Sequence, residues 1–338
     1  MEHRATVRDV AALAGVSIKT VSRVVNDEPN VSAATRSQVR RAIEQLQYLP
    51  DASAANLARQ ERLTRSIALL LATVDDPFCS SVFRGVEEVA RERGVVVLAA
   101  STEGQPEVEA TLIRAFASRS VDGFLIIPTN CDHRPIADLL GKRMPSVYID
   151  RSPLGLTADV ITADNHESAR TATRHLLRHG HRRIALLADD PTIETARERR
   201  AGYESALREA GLPVDPSLIV MGAGTVDAAG VATRRLCSGE NPPTAIFASR
   251  NYASIGAATA LKQLGLSRQV ALIGWDEVEL AALIDPPLTV IAQDPVGMGR
   301  LAATRLFDRI TGADITPERL VIPATLIERG SGEIAAAE

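Results

Sequence analysis

The first fifty residues place apolar side chains at helical spacing in three short stretches. Thr6 and Asp9 match the pattern in which a hydroxyl and a carboxylate cap the start of a helix, and Gly15 is placed to end that helix. Ser17 and Ser32 are placed to cap two further helices. The apolar faces of the three predicted helices are, in chain order, Val7, Val10, Ala11 and Ala14, then Val21, Val24 and Val25, then Val39, Ile43 and Leu46.

The second of these helices has a polar side that suits DNA. Lys19, Thr20, Ser22, Arg23 and Asn26 lie opposite its valines and can hydrogen-bond base edges and phosphates. The pattern indicates a helix-turn-helix whose second helix enters the major groove. Spacing alone is equally compatible with an ordinary helical hairpin that has a solvated face.

A short helix is predicted after the third one. Pro50 ends the preceding helix, and the stretch 52–59 has high helix propensity but is too short to be stable alone. Leu57 has little to pack against within this stretch. The helix is therefore expected to form against a second copy or on DNA, where an apolar side chain can enter a minor-groove step. A plain linker helix is the alternative.

From Ser66 onward, short β-rich runs alternate with amphipathic helices, which predicts parallel sheets covered by helices on both faces. The predicted strands are Ile67–Thr73, Val95–Ser101, Gly123–Ile127, Val147–Ile149, Ile184–Ala188, Ala245–Ala248, Val270–Gly274 and Thr289–Ile291. The predicted helices are Val82–Arg93, Glu107–Ser118, Ser168–His179, Glu194–Ala210, Ala228–Cys237, Ile255–Leu264 and Val296–Ile310.

Ligands of such folds bind at the carboxyl ends of the strands, and polar groups follow six of the predicted strands. They are Asp75-Asp76-Pro77-Phe78, Asp150-Arg151, Asp189-Asp190, Ser249-Arg250-Asn251, Trp275-Asp276 and Gln293-Asp294. These side chains are the first candidates for a binding site.

The charge of the chain is unevenly distributed. The whole chain carries −4, but residues 1–60 hold eight Lys/Arg and six Asp/Glu, so this segment is +2 and the remainder is −6. A mildly basic segment on an acidic body suits a salt-sensitive DNA contact. The three cysteines are far apart, the N-terminus lacks a signal-peptide pattern and no apolar run reaches membrane-spanning length, so a cytoplasmic location is expected.

Two sets of sequence motifs are more specific than the spacing of apolar residues in the predicted helices and strands. The first set is Thr6-Val7-Arg8-Asp9-Val10-Ala11, Ala14-Gly15-Val16-Ser17, Thr20-Val21-Ser22-Arg23-Val24-Val25-Asn26, Val31-Ser32, Thr35-Arg36 and Tyr48-x-Pro50. The second is Val121-Asp122-Gly123, Gly180-His181-Arg182-Arg183-Ile184-Ala185, Arg199-x-Ala201-Gly202-Tyr203, Gly274-Trp275-Asp276 and Met298-Gly299. Together they resemble the lactose-repressor (LacI/GalR) family of bacterial transcriptional regulators over essentially the whole chain.

The resemblance implies a small all-α helix-turn-helix headpiece at 1–49, a hinge helix and linker at 50–63, and an α/β two-lobed core at 64–338. The core would be like a type I periplasmic binding protein, with one lobe at about 64–162 and 293–321 and the other at about 163–291 and 323–338. It further implies a homodimer that binds pseudo-palindromic double-stranded operator DNA. A small-molecule effector, expected to be a carbohydrate, would bind between the lobes, with no cofactor, metal or catalytic residue.

The residue patterns and the resemblance together give the candidate site residues. The DNA-binding set is Thr6, Ser17, Ile18, Lys19, Thr20, Ser22, Arg23, Asn26, Ala54 and Leu57, within which Ile18, Lys19 and Arg23 match the family's base-reading positions and Leu57 its hinge leucine. The effector-binding set is Asp76, Phe78, Asp150, Thr195, Arg199, Arg250, Asn251, Trp275, Asp276 and Gln293, within which Asp150, Arg199, Asp276 and Gln293 match positions that line the family's effector cleft. Carboxylates and a guanidinium fork are suited to binding hydroxyl groups in directed pairs.

The chain also departs from the family pattern. Ala55 replaces a frequent Arg or Gln, which predicts fewer hinge contacts. Arg250-Asn251 replaces a common Asn-Asp, and Thr162 and Thr225 replace aromatic residues of some relatives. The added positive charge raises the hypothesis of a phosphorylated or acidic effector.

The sequence is also compatible with other function classes. A sugar-modifying enzyme with an added headpiece is one, although no nucleophile elbow or kinase signature is present. A non-specific architectural DNA binder is another. The histidines 175, 179 and 181 are expected to lie at a helix end rather than to bind metal.

Overall fold

The computed structural model describes residues 5–25, 28–48, 63–141, 144–279, 281–313 and 315–336. The chain divides into two compact units, Met1–Ser66 and Ile67–Glu338. Among the predicted site residues, Asn26, Ala54 and Leu57 lie outside the described residues, as does the predicted hinge helix. No described helix has the length and apolar character needed to span a membrane.

The first unit contains the three predicted helices, α1 (Val7–Leu13), α2 (Ile18–Val25) and α3 (Ala33–Gln45). Thr6 and Asp9 form the predicted capping box, with the Thr6 amide donating to the Asp9 carboxylate at 2.8 Å. Gly15 has φ of +59°, a left-handed conformation that glycine adopts at little cost. Seven small or branched side chains form the core: Val10, Ala11, Ala14, Val21, Val24, Val39 and Ala42.

The second unit contains two lobes, each built on a six-stranded sheet. The strands of the first lobe are β1 (Ser66–Leu71), β2 (Val96–Ser101), β3 (Phe124–Ile126), β4 (Ser146–Ile149), β5 (Asp159–Ala163) and β11 (Arg319–Ile322). Its helices are α4 (Pro77–Glu92), α5 (Pro106–Ala117), α6 (Arg134–Leu140) and α11 (Pro295–Ile310). The strands lie in the order β11-β5-β4-β3-β1-β2 across the sheet.

The second lobe repeats this plan with the order β12-β10-β9-β8-β6-β7. Its strands are β6 (Ile184–Leu187), β7 (Ile219–Val220), β8 (Ala245–Ala248), β9 (Ala271–Trp275), β10 (Thr289–Ala292) and β12 (Thr325–Ile327). Its helices are α7 (Asn165–Arg178), α8 (Glu194–Glu209), α9 (Val226–Cys237) and α10 (Asn251–Gln263). Strand β12 is antiparallel to β10, whereas the pairings of β6, β8, β9 and β10 are parallel.

The chain crosses between the lobes three times, before α7, after β10 and between β11 and β12. The two sheets have corresponding strand orders, so β4 of the first lobe is the counterpart of β9 in the second. Close helix contacts within the first lobe depend on glycine. A Cβ on Gly85 would lie 2.1 Å from the Val296 carbonyl oxygen, and one on Gly299 would lie 2.2 Å from that of Val82.

The eight predicted strands are confirmed, and so are the seven predicted helices of the core, six of which begin one to five residues earlier than predicted. Helix α4 begins five residues earlier than predicted because Asp76 caps it and Pro77 occupies its first turn. Four strands and one helix of the core were not predicted: β5, β7, β11, β12 and α6.

Candidate effector cleft and nucleic-acid interface

A cavity of about 300 Å³ lies between the two lobes, at the carboxyl ends of their strands. Nine of the ten predicted effector-binding residues line it: Asp76, Phe78, Asp150, Thr195, Arg199, Arg250, Asn251, Asp276 and Gln293. Both lobes contribute, since Asp76, Phe78 and Asp150 belong to the first lobe and Thr195 to Asp276 belong to the second. A molecule bound here would contact both lobes at once.

Two carboxylates occupy equivalent places in the two lobes. Asp150 follows β4 and Asp276 follows β9, and the amide of each donates a 2.8 Å hydrogen bond to a carbonyl of the neighbouring strand. Both have left-handed backbones, with φ of 73° at Asp150 and 66° at Asp276. Non-glycine residues adopt this conformation at a cost and only where the surrounding structure holds it, and such residues cluster at functional sites.

Arg199 is the fixed cation of the cavity. Its Nε donates to Asn165 Oδ1 and its Nη1 to the Ser249 carbonyl oxygen, each at 2.8 Å. Its guanidinium carbon lies 3.9 Å from the centroid of the Trp275 ring. Burial lowers the pKa of Arg199, an effect that Asp276 and Asp150 oppose. The guanidinium is therefore oriented before any ligand arrives.

Trp275 differs from its prediction. Its side chain is fully buried in the core of the second lobe and does not line the cavity. The ring lies beneath Arg199, so its contact is with the guanidinium. The sequence predicts that Trp275 directly follows the strand, but it is the last residue of β9. Because side chains alternate along a strand, its ring faces the core and Asp276 faces the cavity.

Asp276 and Gln293 form a pair that leaves one acceptor unused. Gln293 Nε2 donates to Asp276 Oδ1 at 2.5 Å. Gln293 Oε1 is buried and has no hydrogen-bond partner among the described residues. Burial raises the pKa of the Asp276 carboxyl to about 6, although Arg199 and Gln293 act to lower it. A ligand hydroxyl would satisfy the unused oxygen, which otherwise costs free energy.

At one side of the cavity the lobes contact each other through Asp76. Asn251 Nδ2 donates to Asp76 Oδ1 at 2.7 Å, and Arg250 Nη2 lies 3.5 Å from Asp76 Oδ2. Arg250 also forms a short hydrogen bond with Asp189. Burial alone would lower the pKa of Arg250, but the two carboxylates raise it. Its charge is thus neutralised within the protein, which removes the reason for expecting an anionic effector.

The headpiece exposes the candidate DNA-reading residues of its second helix. Ser17, Ile18 and Lys19 are exposed at the start of α2, with Ile18 47% exposed, and Thr6 is exposed at the start of α1. Thr20, Ser22 and Arg23 are half-buried along the same helix. An exposed isoleucine among polar side chains suits contact with a thymine methyl group.

Capping and charge place these side chains for contact. Ser17 Oγ accepts the Thr20 amide at 3.1 Å, so it caps α2. Arg23 Nε is 3.8 Å from Glu28 Oε2, and both side chains are nearly half exposed. Such a pair is weak, so the Arg23 guanidinium can leave it for a base or a phosphate.

Both units of the chain match families of known proteins. Residues 6–51 match the model of bacterial regulatory proteins of the lacI family, and residues 173–332 match the periplasmic binding protein-like domain. The chain is 34% identical to the ribose operon repressor of Escherichia coli (strain K12) over 331 residues, 97% of this chain and 99% of that protein. It is 32% identical to the transcriptional repressor CytR of the same strain, covering 98% of this chain and 97% of the repressor.

The chain belongs to the lacI family of bacterial regulatory proteins.

Solved structures of family members extend this similarity to three dimensions. The Lac repressor dimer bound to operator and the anti-inducer ONPF superposes with a TM-score of 0.86 at 26% identity, covering 98% of this chain and 99% of that one. A complex of the regulator CelR with cellobiose gives 0.73 at 34% identity, covering 97% and 100%. The predicted fold class, a helix-turn-helix headpiece with a two-lobed periplasmic-binding-protein-like core, is confirmed for this lacI-family chain.

Several cavity residues of this lacI-family member were not in the predicted set. Arg151, Asp189 and Ser249 line the cavity directly after strands, and Glu103 lines it from the segment before α5. Arg151 donates to Asp150 Oδ2 at 2.8 Å. The strand-end pattern of the sequence includes the first three among its candidates, although the effector-binding set omits them. Glu103 lies outside that pattern.

A candidate set of metal ligands lies in the first lobe. Glu109, Cys131 and His133 each place a donor atom within 4.8 Å of the others. Hydrogen bonds already engage these groups: His133 Nε2 lies 2.9 Å from Glu109 Oε1, and the Thr129 amide donates to Glu109 Oε2 at 2.7 Å. The arrangement accordingly acts as a brace for residues 129–133.

Proposed function

We propose that this protein is a transcriptional repressor that binds a pseudo-palindromic operator as a homodimer and is controlled by a neutral, hydroxyl-rich effector in the inter-lobe cavity. The observation that supports this most strongly is the set of groups preorganised at the cavity: Arg199 held on three sides, Asp150 and Asp276 at equivalent strand ends, and the unused Gln293 Oε1. Carbohydrates are recognised through directed hydrogen bonds of this kind.

The names of the relatives and the molecules in their structures support the same proposal. The ribose operon repressor and CytR are named as repressors, and the similar CelR structure holds cellobiose. The Lac repressor structure is a dimer on operator DNA. A catalytic role is not part of the proposal, and the protein would act in the cytoplasm, where its DNA is.

The proposed mechanism is a shift between arrangements of the lobes. An effector that contacts both lobes binds one arrangement better and so increases its population. In a dimer, this arrangement sets whether two copies of α2 reach successive major grooves together. The predicted hinge leucine, Leu57, would stabilise the DNA-bound state by entering the minor groove.

Two measurements test this proposal together. Thermal-shift screening of the full chain with monosaccharides, disaccharides and nucleosides should identify a stabilising compound, since a ligand that binds only the folded state raises the unfolding temperature. Footprinting of DNA upstream of the gene and its neighbours should reveal a pseudo-palindromic site. Turnover of the stabilising compound, or uniform protection of unrelated DNA, would contradict the proposal.

A further inference from the structure

A polar cluster inside the first lobe combines three kinds of metal-binding side chain and lies outside the effector cavity. Glu109 on α5 and His133 at the start of α6 are fully buried, and Cys131 is half-buried. The Cys131 sulfur lies 3.8 Å from Glu109 Oε1 and 4.0 Å from His133 Nε2. His133 Nε2 lies 2.9 Å from Glu109 Oε1. The three donor atoms therefore surround one common point.

The hydrogen bonds of His133 require a positive charge near this common point. Its Nδ1 lies 2.8 Å from the Cys131 carbonyl oxygen, which can only accept, so Nδ1 carries a hydrogen atom. Its Nε2 faces the Glu109 carboxylate, which is also an acceptor when ionised. A proton or a metal ion must therefore lie between them, because two lone pairs would otherwise face each other in a buried site.

Each of the three groups is also held by a second contact that orients it. The hydrogen bond from His133 Nδ1 to a backbone carbonyl is the kind that fixes metal-binding histidines. The Thr129 amide donates to Glu109 Oε2 at 2.7 Å, and the Thr129 hydroxyl donates to the Cys131 sulfur at 3.5 Å. The Tyr148 ring packs edge-on against His133, with 5.6 Å between the ring centroids. These contacts orient the donor atoms whether a proton or an ion occupies the common point.

The spacing of the donor atoms is close to the spacing around zinc. With the usual bond lengths, nitrogen, oxygen and sulfur ligands of a tetrahedral zinc ion lie roughly 3.3–3.6 Å from one another. The three observed distances, 2.9, 3.8 and 4.0 Å, therefore need to change by about half an ångström or less.

The charges of the cluster also fit a divalent ion. Binding of Zn²⁺ forms bonds to Cys131 Sγ, Glu109 Oε1 and His133 Nε2, and it releases the thiol proton and the proton shared by Nε2 and Oε1. The thiolate and the carboxylate then balance the two charges of the ion. The site is neutral before and after binding, so burial does not oppose the exchange of two protons for zinc.

We propose that Glu109, Cys131 and His133 form a zinc site in the first lobe, with the fourth position left to water beside half-buried Cys131. Glu109 comes from α5, and the other two residues come from the segment after β3, so folding of the lobe assembles the site. Within this segment, Thr129 and Asn130 line a compartment of about 200 Å³ that shares walls with the effector cavity. Zinc would fasten this part of the cleft wall to α5.

Metal titration of the full chain tests the proposal. The protein is freed of metal with a chelator and titrated with Zn²⁺ against a chromophoric competitor. A separate titration uses Co²⁺, whose thiolate charge-transfer absorption requires a metal–sulfur bond. Both titrations are repeated with Cys131→Ala and with the control Cys237→Ala, which removes a half-buried thiol of the second lobe. Circular dichroism shows whether each variant is folded.

We expect one zinc ion per chain, the thiolate absorption with Co²⁺, and an unfolding temperature that rises with zinc. Cys131→Ala should abolish the absorption and weaken zinc binding by roughly a hundredfold or more, since losing a group that merely orients a ligand already costs about ten- to hundredfold. Cys237→Ala should match the unchanged chain. His175→Gln should match it as well, although it alters the cluster of His175, Glu328 and Glu333 in the second lobe.

Two results would overturn the zinc site. If the metal-free chain takes up no stoichiometric zinc, a proton alone occupies the common point. If the cobalt absorption and the zinc affinity survive Cys131→Ala, the metal binds elsewhere on the chain.

Discussion

The candidate binding residues of the headpiece and those of the inter-lobe cavity differ in exposure and in how firmly they are held. On α2, Ser17, Ile18 and Lys19 are exposed, and Arg23 has only a weak, solvated ion pair. In the cavity, Arg199 and Asp276 are buried or partly buried and held by hydrogen bonds. DNA attracts the headpiece through long-range charge before any base is read, so the side chains that contact it can stay exposed and weakly paired in the free protein. A small neutral ligand offers little charge, so its site must be organised in advance.

The headpiece depends on a very small core, so its DNA binding should be sensitive to a change at one buried residue. Val10 is fully buried against α2 and α3, and replacing it with aspartate places an unpaired charge in that core. Val10→Asp should unfold the headpiece and reduce operator affinity by roughly a thousandfold or more, since such substitutions cost several kcal/mol. Fluorescence anisotropy with operator DNA measures this loss.

Effector binding should survive the same change, because the cavity belongs to the other unit. Gln38→Asp adds the same charge at an exposed position of α3 and serves as the control. Operator affinity that is preserved in Val10→Asp would contradict the dependence on this core, and effector binding that is lost with it would show that the two units are not independent.

The cavity should be most sensitive at Arg199. Arg199→Lys keeps the charge but loses the planar fork that reaches Asn165 and the Ser249 carbonyl. We expect effector affinity to fall by roughly a hundredfold, in line with about 2–3 kcal/mol for a charged hydrogen-bonded group, with effector-free operator binding retained. Titration calorimetry measures this. Arg208→Lys, on the same helix but 61% exposed, should bind normally.

An exposed reader should lose affinity in a sequence-dependent way. Arg23→Ala should weaken operator binding by roughly tenfold and affect random DNA less, as expected for a base-reading arginine. Arg41→Ala removes an exposed charge from α3, so it should weaken both DNAs about equally and lower the salt slope by about one. Binding measured at several salt concentrations separates the two cases, and equal losses on both DNAs for Arg23→Ala would deny it a reading role.

The smallest expected effect is a pH dependence at Asp276, whose pKa is raised to about 6. An ionised carboxylate accepts hydroxyl hydrogen bonds more strongly than a neutral acid, so effector affinity should fall by about threefold between pH 7.5 and pH 5. For stability the sign is opposite: the contribution of this group is present below its unfolded pKa and is lost as the pH rises through about 6. Asp276→Asn should flatten both profiles in calorimetry, and an unchanged profile would contradict the assignment.

The sequence predicted much of this architecture because its patterns are local. Capping residues such as Thr6 and Ser32 determined helix starts, and apolar runs such as Ala245–Ala248 are buried strands. The edge strand β11 was missed because its four residues, Arg-Leu-Val-Ile, show no alternation of polar and apolar types, although two of them are exposed. Helix α6 was missed because seven residues with a proline give little periodicity.

Candidate cavity residues could be found from strand ends, but their individual roles could not. Whether a side chain enters the cavity depends on the face of the strand, which separates Asp276 from Trp275. The neutralisation of Arg250 depends on Asp189 and Asp76, which are distant in sequence and in different lobes. Such pairings arise only when both sheets are in place.

If one molecule in the cleft controls DNA binding, operator and effector must affect each other's binding, which a linkage measurement can show. Operator affinity is measured with and without the compound that stabilises the protein most in the screen, and the affinity for that compound is measured with and without operator. Control of DNA binding by the cleft requires the same factor in both directions, and we expect roughly five- to hundredfold. A stabilising compound that binds in the cleft but leaves operator affinity unchanged would contradict it.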